Sequence, residues 1–283
     1  MNMIETPVSF ESSGRILRGI LHLPGTPAGA PLTCVVFLNG WPGSRIGPHR
    51  MFVTAARQLT ADGFCCLRFD FGGRGESDGL AAEATIRSMV ADTRCAINSL
   101  VAQANISRVV LLGICSGAKV AIAEAADDAR VQALVLWSPE AMGHLRSPAT
   151  KAARSASMAM EYIHKLSKPG TWKKILTFDV NTRMVQKALV GPAEPTEEET
   201  REESQTLQRF GSFRGSVILL YGGSDGQTRL AAANYREFFE TRRLKCEVHE
   251  IPHANHNFYS LAWEKTVIDA TRKWLLNLGN CAT

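Results

Sequence analysis

The sequence predicts an α/β protein, with a mostly parallel sheet, helices on both of its faces and a helical cap inserted late in the chain. Three observations carry that expectation. From about residue 33 onward, apolar runs of strand length alternate with amphipathic helical patterns. Each such pair requires a crossover that returns over the sheet before the next parallel strand can start. The run Arg108-Val109-Val110-Leu111-Leu112 then drives straight into Gly113-Ile114-Cys115-Ser116-Gly117, which reads as strand, sharp turn and helix. Finally, the alternation lapses between residues 139 and 213 and then resumes. This predicts a core of residues 1–138 and 214–283 interrupted by a cap of residues 139–213.

Taken in order, residues 6–12 and 16–23 read as strands joined by a Ser13-Gly14 turn, an antiparallel edge. Residues 33–38 form the next strand, and Phe52, Ala55, Ala56 and Leu59 at i, i+3, i+4 and i+7 mark an amphipathic helix. A strand at 64–69 follows, with Ile86, Met89, Val90, Thr93, Ile97, Leu100 and Val101 tracing one helix face after it. The strands 108–112 and 131–137 complete the first half. After the lapse come a strand at 217–221, a helix around 231–239, a strand at 246–251 and a last helix marked by Val267, Ile268, Trp274, Leu275 and Leu278. In such a sheet, functional groups gather at the C-terminal ends of the parallel strands.

Composition narrows the class of function. The 283 residues carry 32 Lys and Arg against 27 Asp and Glu, a net charge of +5 that is spread along the chain. No basic run interleaves with aromatics, so nucleic acid is not an expected partner. Neither a signal segment nor an apolar run long enough to span a membrane occurs, which predicts a cytoplasmic protein. Seven cysteines at irregular spacings suit reduced thiols better than a disulfide framework. His249, His253 and His256 lie close in sequence, but no carboxylate pair completes a zinc-like set, and the loop from Asp70 to Gly79 lacks a phosphate-binding lysine. Neither metal nor cofactor is expected, and Asp70 is expected to bond to backbone.

The chemistry is carried by the turn at Cys115. Gly113 and Gly117 bracket it because so tight a turn leaves no room for neighbouring Cβ atoms, and the residue between them is exposed at a helix N-terminus. There, unpaired N–H groups and the helix dipole stabilise a thiolate nucleophile. Ser116 falls one step past the apex.

The strand, the turn and the spacing resemble the α/β-hydrolase superfamily, whose pattern is Gly-x-Ser-x-Gly, with cysteine here at the nucleophile as in dienelactone-hydrolase-like members, some thioesterases and polyester synthases. The resemblance implies a base and an acid in the order acid, then histidine. Gly222-Gly223-Ser224-Asp225 resembles the acid loop, so Asp225 is the expected acid, with Glu140 after the strand 131–137 as the alternative. Pro252-His253-Ala254-Asn255-His256-Asn257-Phe258 resembles the histidine loop, so His256 is the expected base and His253 the lesser candidate. Asn39-Gly40-Trp41-Pro42-Gly43-Ser44 resembles the oxyanion loop. Since Pro42 has no N–H, the amides of Trp41 and Ser116 are the expected donors.

Together with residues 43–50 and the Asp70 loop, these motifs are similar to those of bacterial hydrolases associated with exosortase systems. The implied activity is hydrolysis of a small-molecule ester or thioester through an acyl-cysteine. The alternatives are an acyltransferase passing the acyl group to an alcohol, amine or thiol, and a non-catalytic binding protein on the same fold. The cap carries Lys165, Lys168, Lys173 and Lys174, whereas residues 194–203 are strongly acidic. Ordinary solvated helix faces account for both. A basic entrance would also attract an anionic acyl carrier such as coenzyme A or an acyl carrier protein.

Overall fold

A computed structural model describes residues 3–25, 32–41, 43–103, 105–146 and 195–280. The antiparallel edge is β1 (Ile4–Ser12) paired along its whole length with β2 (Arg15–Leu23). Then follow β3 (Leu32–Leu38), α1 (Met51–Ala61), β4 (Cys65–Phe69), α2 (Ile86–Gln103), β5 (Ile106–Ile114), α3 (Ser116–Asp127) and β6 (Val131–Trp137). After the undescribed residues come α4 (Glu197–Phe210), β7 (Ser216–Gly222), α5 (Gly226–Thr241), β8 (Lys245–Ile251) and α6 (Leu261–Asn280). These strands form one sheet of order β1-β2-β4-β3-β5-β6-β7-β8, in which β3 to β8 are all parallel and β2 joins β4 antiparallel. The fold is that of an α/β hydrolase.

The sheet is buried on both faces, so its central strands carry unbroken apolar runs, as at residues 34–38 and 109–112, rather than alternating apolar and polar residues. Along β3, Cys34, Val36 and Leu38 face a core that also receives Met89 and Ile97 of α2, Val120 and Ile122 of α3 and Tyr235 of α5. Val35 and Phe37 face the opposite core, with Phe52 and Leu59 of α1 and Val267 and Trp274 of α6. This division follows from the two-residue period of a strand. The central strand β5 runs two residues further at each end than its sequence pattern suggests. Gly113 and Ile114 stay in register with Leu136 and Trp137 of β6, carrying the ladder up to the turn itself.

Within the region predicted as cap, residues 147–194 lie outside the described residues, and with them Lys165, Lys168, Lys173 and Lys174. The helix α4 starts on a capping box: Thr196 Oγ1 accepts the N–H of Glu199, and Glu199 Oε2 accepts the N–H of Thr196. Its acidic first turn suits the positive end of the helix dipole. Only Leu207 and Phe210 of this helix are buried, and they enter the core beside α3.

Candidate active site

Four loops meet at the C-terminal ends of the parallel strands. The turn between β5 and α3 holds Cys115 at φ 56° and ψ −123°, a conformation that costs a non-glycine residue energy and persists only where its surroundings enforce it. They do so here. A Cβ on Gly117 would lie 2.2 Å from the Leu38 carbonyl oxygen, and one on Gly113 2.4 Å from that of Gly117. Hydrogen bonds from Cys115 N–H to Trp137 O (2.9 Å) and from Ala118 N–H to Cys115 O (3.1 Å) fix the turn on both sides.

The loops after β7 and β8 carry Asp225 and His256. They are tied together by Gly223 N–H to Ile251 O and Ser224 N–H to Ala254 O, each 2.9 Å. A third anchor comes from the end of β6, where the Ser138 hydroxyl donates to the His256 carbonyl at 2.7 Å. Asp225 begins α5: its Oδ1 accepts the N–H groups of Gln227 and Thr228, while its Oδ2 accepts the Thr228 hydroxyl at 2.7 Å. The same Oδ2 lies 2.6 Å from His256 Nδ1.

Burial pushes the Asp225 carboxyl up, but the His256 bond and charge and the Thr228 donors outweigh it, leaving it below the usual carboxylate range. Burial pushes His256 down. Its bond to Asp225 and the adjacent Cys115 sulfur outweigh that and raise it well above the ordinary imidazole value. His253, by contrast, is exposed.

These two shifts give a pH dependence of stability with a defined sign. The raised His256 contributes fully below its unfolded value of about 6.5 and loses that contribution as pH rises through the folded value. The lowered Asp225 contributes above about 3.9 and loses its share as pH falls through its own folded value. The difference in Tm between the wild type and His256→Ala is therefore expected to be widest between about pH 4 and 6.5. It should narrow on either side, as thermal unfolding followed across pH would read.

Glu140 lies beside Cys115, whose thiol donates to its Oε1 at 3.3 Å, and Lys119 Nζ lies 3.2 Å from its Oε2. Its backbone carbonyl accepts the Tyr235 hydroxyl at 2.9 Å. Lys119, only 7% exposed, also reaches Glu203 Oε1 at 3.6 Å. Glu203 in turn binds Arg146 at 2.6 Å and the Gly143 N–H at 2.7 Å. Lys119 and Glu203 escape the sequence reading, although a lysine within the apolar start of α3 is a visible signal. A buried cation there needs an anion on a neighbouring element.

On the remaining side, the Trp41 N–H expected to face an oxyanion donates to Ser116 Oγ at 2.7 Å. Pro42 lies outside the described residues. Asp70 accepts the backbone N–H groups of Arg45 and Glu76, together with the Arg45 guanidinium, as expected of it. Among the described residues there is no group of three or more His, Cys, Asp or Glu that could hold a metal ion, and no helix long and apolar enough to cross a membrane.

Comparison with known proteins places this geometry in context. The chain is 31% identical over 167 residues to the quorum-quenching protein AidA of Acinetobacter baumannii, an alignment that covers 58% of this chain and spans half of that relative's length. Among solved structures, Est1E from Butyrivibrio proteoclasticus with bound ferulic acid superposes with a TM-score of 0.65 at 16% identity, covering 95% of this chain and 98% of its own. A dienelactone hydrolase from Anabaena variabilis gives 0.64 at 16%, covering 98% and 99%. An esterase from Pyrococcus furiosus gives 0.64 at 17%, covering 97% and 91%. At these identities the structures share the fold. The family signature described as serine aminopeptidase, S33, matches residues 45–260, beginning just after the loop of residues 39–44 and running past His256, and the chain belongs to that hydrolase family.

Proposed function

We propose that this hydrolase cleaves a small-molecule ester or thioester through an acyl-cysteine intermediate on Cys115. The observation that carries the reading is the 2.6 Å contact between Asp225 and His256 Nδ1, made beside a cysteine held at the strained apex of the β5–α3 turn. With Nδ1–H donated to Asp225, the other ring nitrogen is the basic one, and it takes the Cys115 thiol proton. Sulfur then bonds to the carbonyl carbon. The tetrahedral oxyanion is held by backbone amides of the oxyanion loop and the start of α3. Collapse breaks the bond to the alkoxide or thiolate leaving group, which takes the proton from His256. Water attacks the acyl-cysteine while His256 accepts its proton, and the sulfur leaves and is reprotonated as the acid departs. Glu140, held by Lys119, accepts the thiol's hydrogen bond before substrate arrives.

The family's description names serine, so the identity of the nucleophile is the point to test. The protein is incubated with activated esters and acyl thioesters and followed by intact mass and product analysis. The expected result is an acyl adduct on Cys115 together with free acid. An adduct with acyl transfer to an added alcohol, amine or thiol would reassign the enzyme to acyl transfer. Neither adduct nor turnover would overturn the reading.

A further inference from the structure

The turn that closes β6 holds Ser138 at φ 44°, a conformation that costs a serine energy. Pro139 after it opposes the same conformation, since a residue before proline is pushed toward extended backbone at negative φ. Ser138 is fully buried. Strain of this kind persists only where the surroundings enforce it, and the alternation along β6 shows what it changes. Leu136 enters the core that holds α2, α3 and α5, and Trp137 the opposite core, so an extended residue 138 would turn back to the first. The loop that carries His256 packs in the second, through Ala254 and Phe258. Positive φ breaks the alternation, and the Ser138 hydroxyl donates to the His256 carbonyl at 2.7 Å.

Two consecutive residues, Trp137 and Ser138, thereby touch three loops of the site. The Trp137 carbonyl accepts the Cys115 N–H at 2.9 Å. The Ser138 N–H donates at 2.8 Å to the Leu220 carbonyl of β7, the strand whose last residue, Gly222, accepts the Asp225 N–H at 3.0 Å. Both bonds continue the backbone ladder between neighbouring strands, and residues of many kinds could make them. The bond to His256 is different in kind. In the sheet β8 lies two strands away from β6, about 10 Å at ordinary spacing, so a side chain crossing the end of β7 has to span the gap. The crossing starts from a fixed base, because Trp137 is fully buried and its indole N–H donates to Thr271 Oγ1 of α6 at 3.1 Å.

We propose that Ser138 is a positioning residue for acyl transfer: its hydroxyl pins the His256 backbone to the turn that also holds Cys115, and so sets the distance over which the imidazole takes the thiol proton. The proposal rests on the acyl-cysteine reading above. Asp225 fixes the ring at Nδ1, and Ser138 fixes the backbone that carries the ring. Proton transfer requires the two groups within hydrogen-bond reach, and a misplacement of ~1 Å costs on the order of 10²-fold in rate.

The experiment compares Ser138→Ala and Ser138→Gly with the wild type. Both remove the hydroxyl, but glycine also relieves the positive φ. Both are expected to slow acylation of Cys115 by 4-nitrophenyl acetate, read by intact mass in a single turnover, by about 10- to 100-fold. Tm should be higher in Ser138→Gly than in Ser138→Ala, so that the rate follows the hydroxyl and not the fold. His256 should titrate at lower pH in both, as NMR of the imidazole records, because a ring held less closely bonds less well to Asp225 and Cys115, which raise it. Either variant carries the test where the other fails to fold. Acylation at the wild-type rate, a slower rate with His256 titrating as in the wild type, or a loss confined to Ser138→Ala would overturn the role. If the wild type is acylated on Cys115 and the variants match it, only the positioning role fails. If neither this ester nor an acyl thioester acylates Cys115 in the wild type, the acyl-cysteine reading fails and the role falls with it.

Discussion

Replacing Cys115 by alanine is expected to lower kcat/KM on an activated ester by at least about 10³-fold, the scale on which removal of a nucleophile acts, and to abolish both the acyl adduct and iodoacetamide labelling at this position. The expectation comes from the turn. Cys115 alone occupies the positive-φ apex between Gly113 and Gly117, whereas Ser116 already belongs to the first turn of α3. Ser116→Ala is expected to retain most activity, for a reason that the structure sharpens. The Ser116 hydroxyl accepts the Trp41 N–H, so its removal frees that amide to face an oxyanion, while the Ser116 backbone N–H is unaltered. Measuring kcat/KM and labelling stoichiometry for both variants decides the register. An inactive Ser116→Ala beside an active Cys115→Ala would mean that the nucleophile has been misassigned.

Much of this arrangement was legible in the chain because it is local. The elbow is a contiguous run, and Asp225 and His256 each follow a strand readable by its apolar pattern, in loops that resemble the superfamily's acid and histidine loops and stand in its order, with Glu140 left as the alternative acid. What escaped depends on packing between distant segments. Glu140 reads as a possible acid because it follows β6, but what it touches is decided by Lys119 of α3 and by the thiol, 21 and 25 positions earlier in sequence. Glu203 meets Lys119 only because α4 packs on α3. Within α4, the run of glutamates reads as a solvated face, and burial is confined to Leu207 and Phe210 near its end, too few apolar positions to set a period. The stacking of Arg74 on Trp41 joins loops after two different strands, which no spacing reveals. Among the positive-φ residues, Cys115, Ser138, His253 and Phe258 lie in turns beyond the C-terminal ends of β5, β6 and β8, whereas Ser13 and Arg243 lie in turns away from the site.

The proposed acid, Asp225, gives the sharpest contrast between neighbouring carboxylates. Asp225→Asn is expected to lower kcat by about 10⁴-fold with the fold intact, because an amide favours the wrong imidazole tautomer. The asparagine can keep its oxygen on the Gln227 and Thr228 N–H groups that start α5, so the helix cap survives. Its NH2 then points where Oδ2 was and donates to Nδ1. The ring proton is displaced to the other nitrogen, which can no longer accept the thiol proton. Loss of the carboxylate also removes a cause of the raised His256 value, so His256 should titrate at lower pH in this variant, as NMR of the imidazole would record. Glu140→Gln keeps an oxygen for the Cys115 thiol and leaves Lys119 with Glu203 at 3.6 Å, so its effect on kcat should be far smaller. His253→Ala, at an exposed position, should be smaller still beside His256→Ala. Steady-state kinetics of the four variants on one ester carries the test. A fully active Asp225→Asn paired with an inactive Glu140→Gln would move the acid to the end of β6, and with it the direction from which the base is oriented.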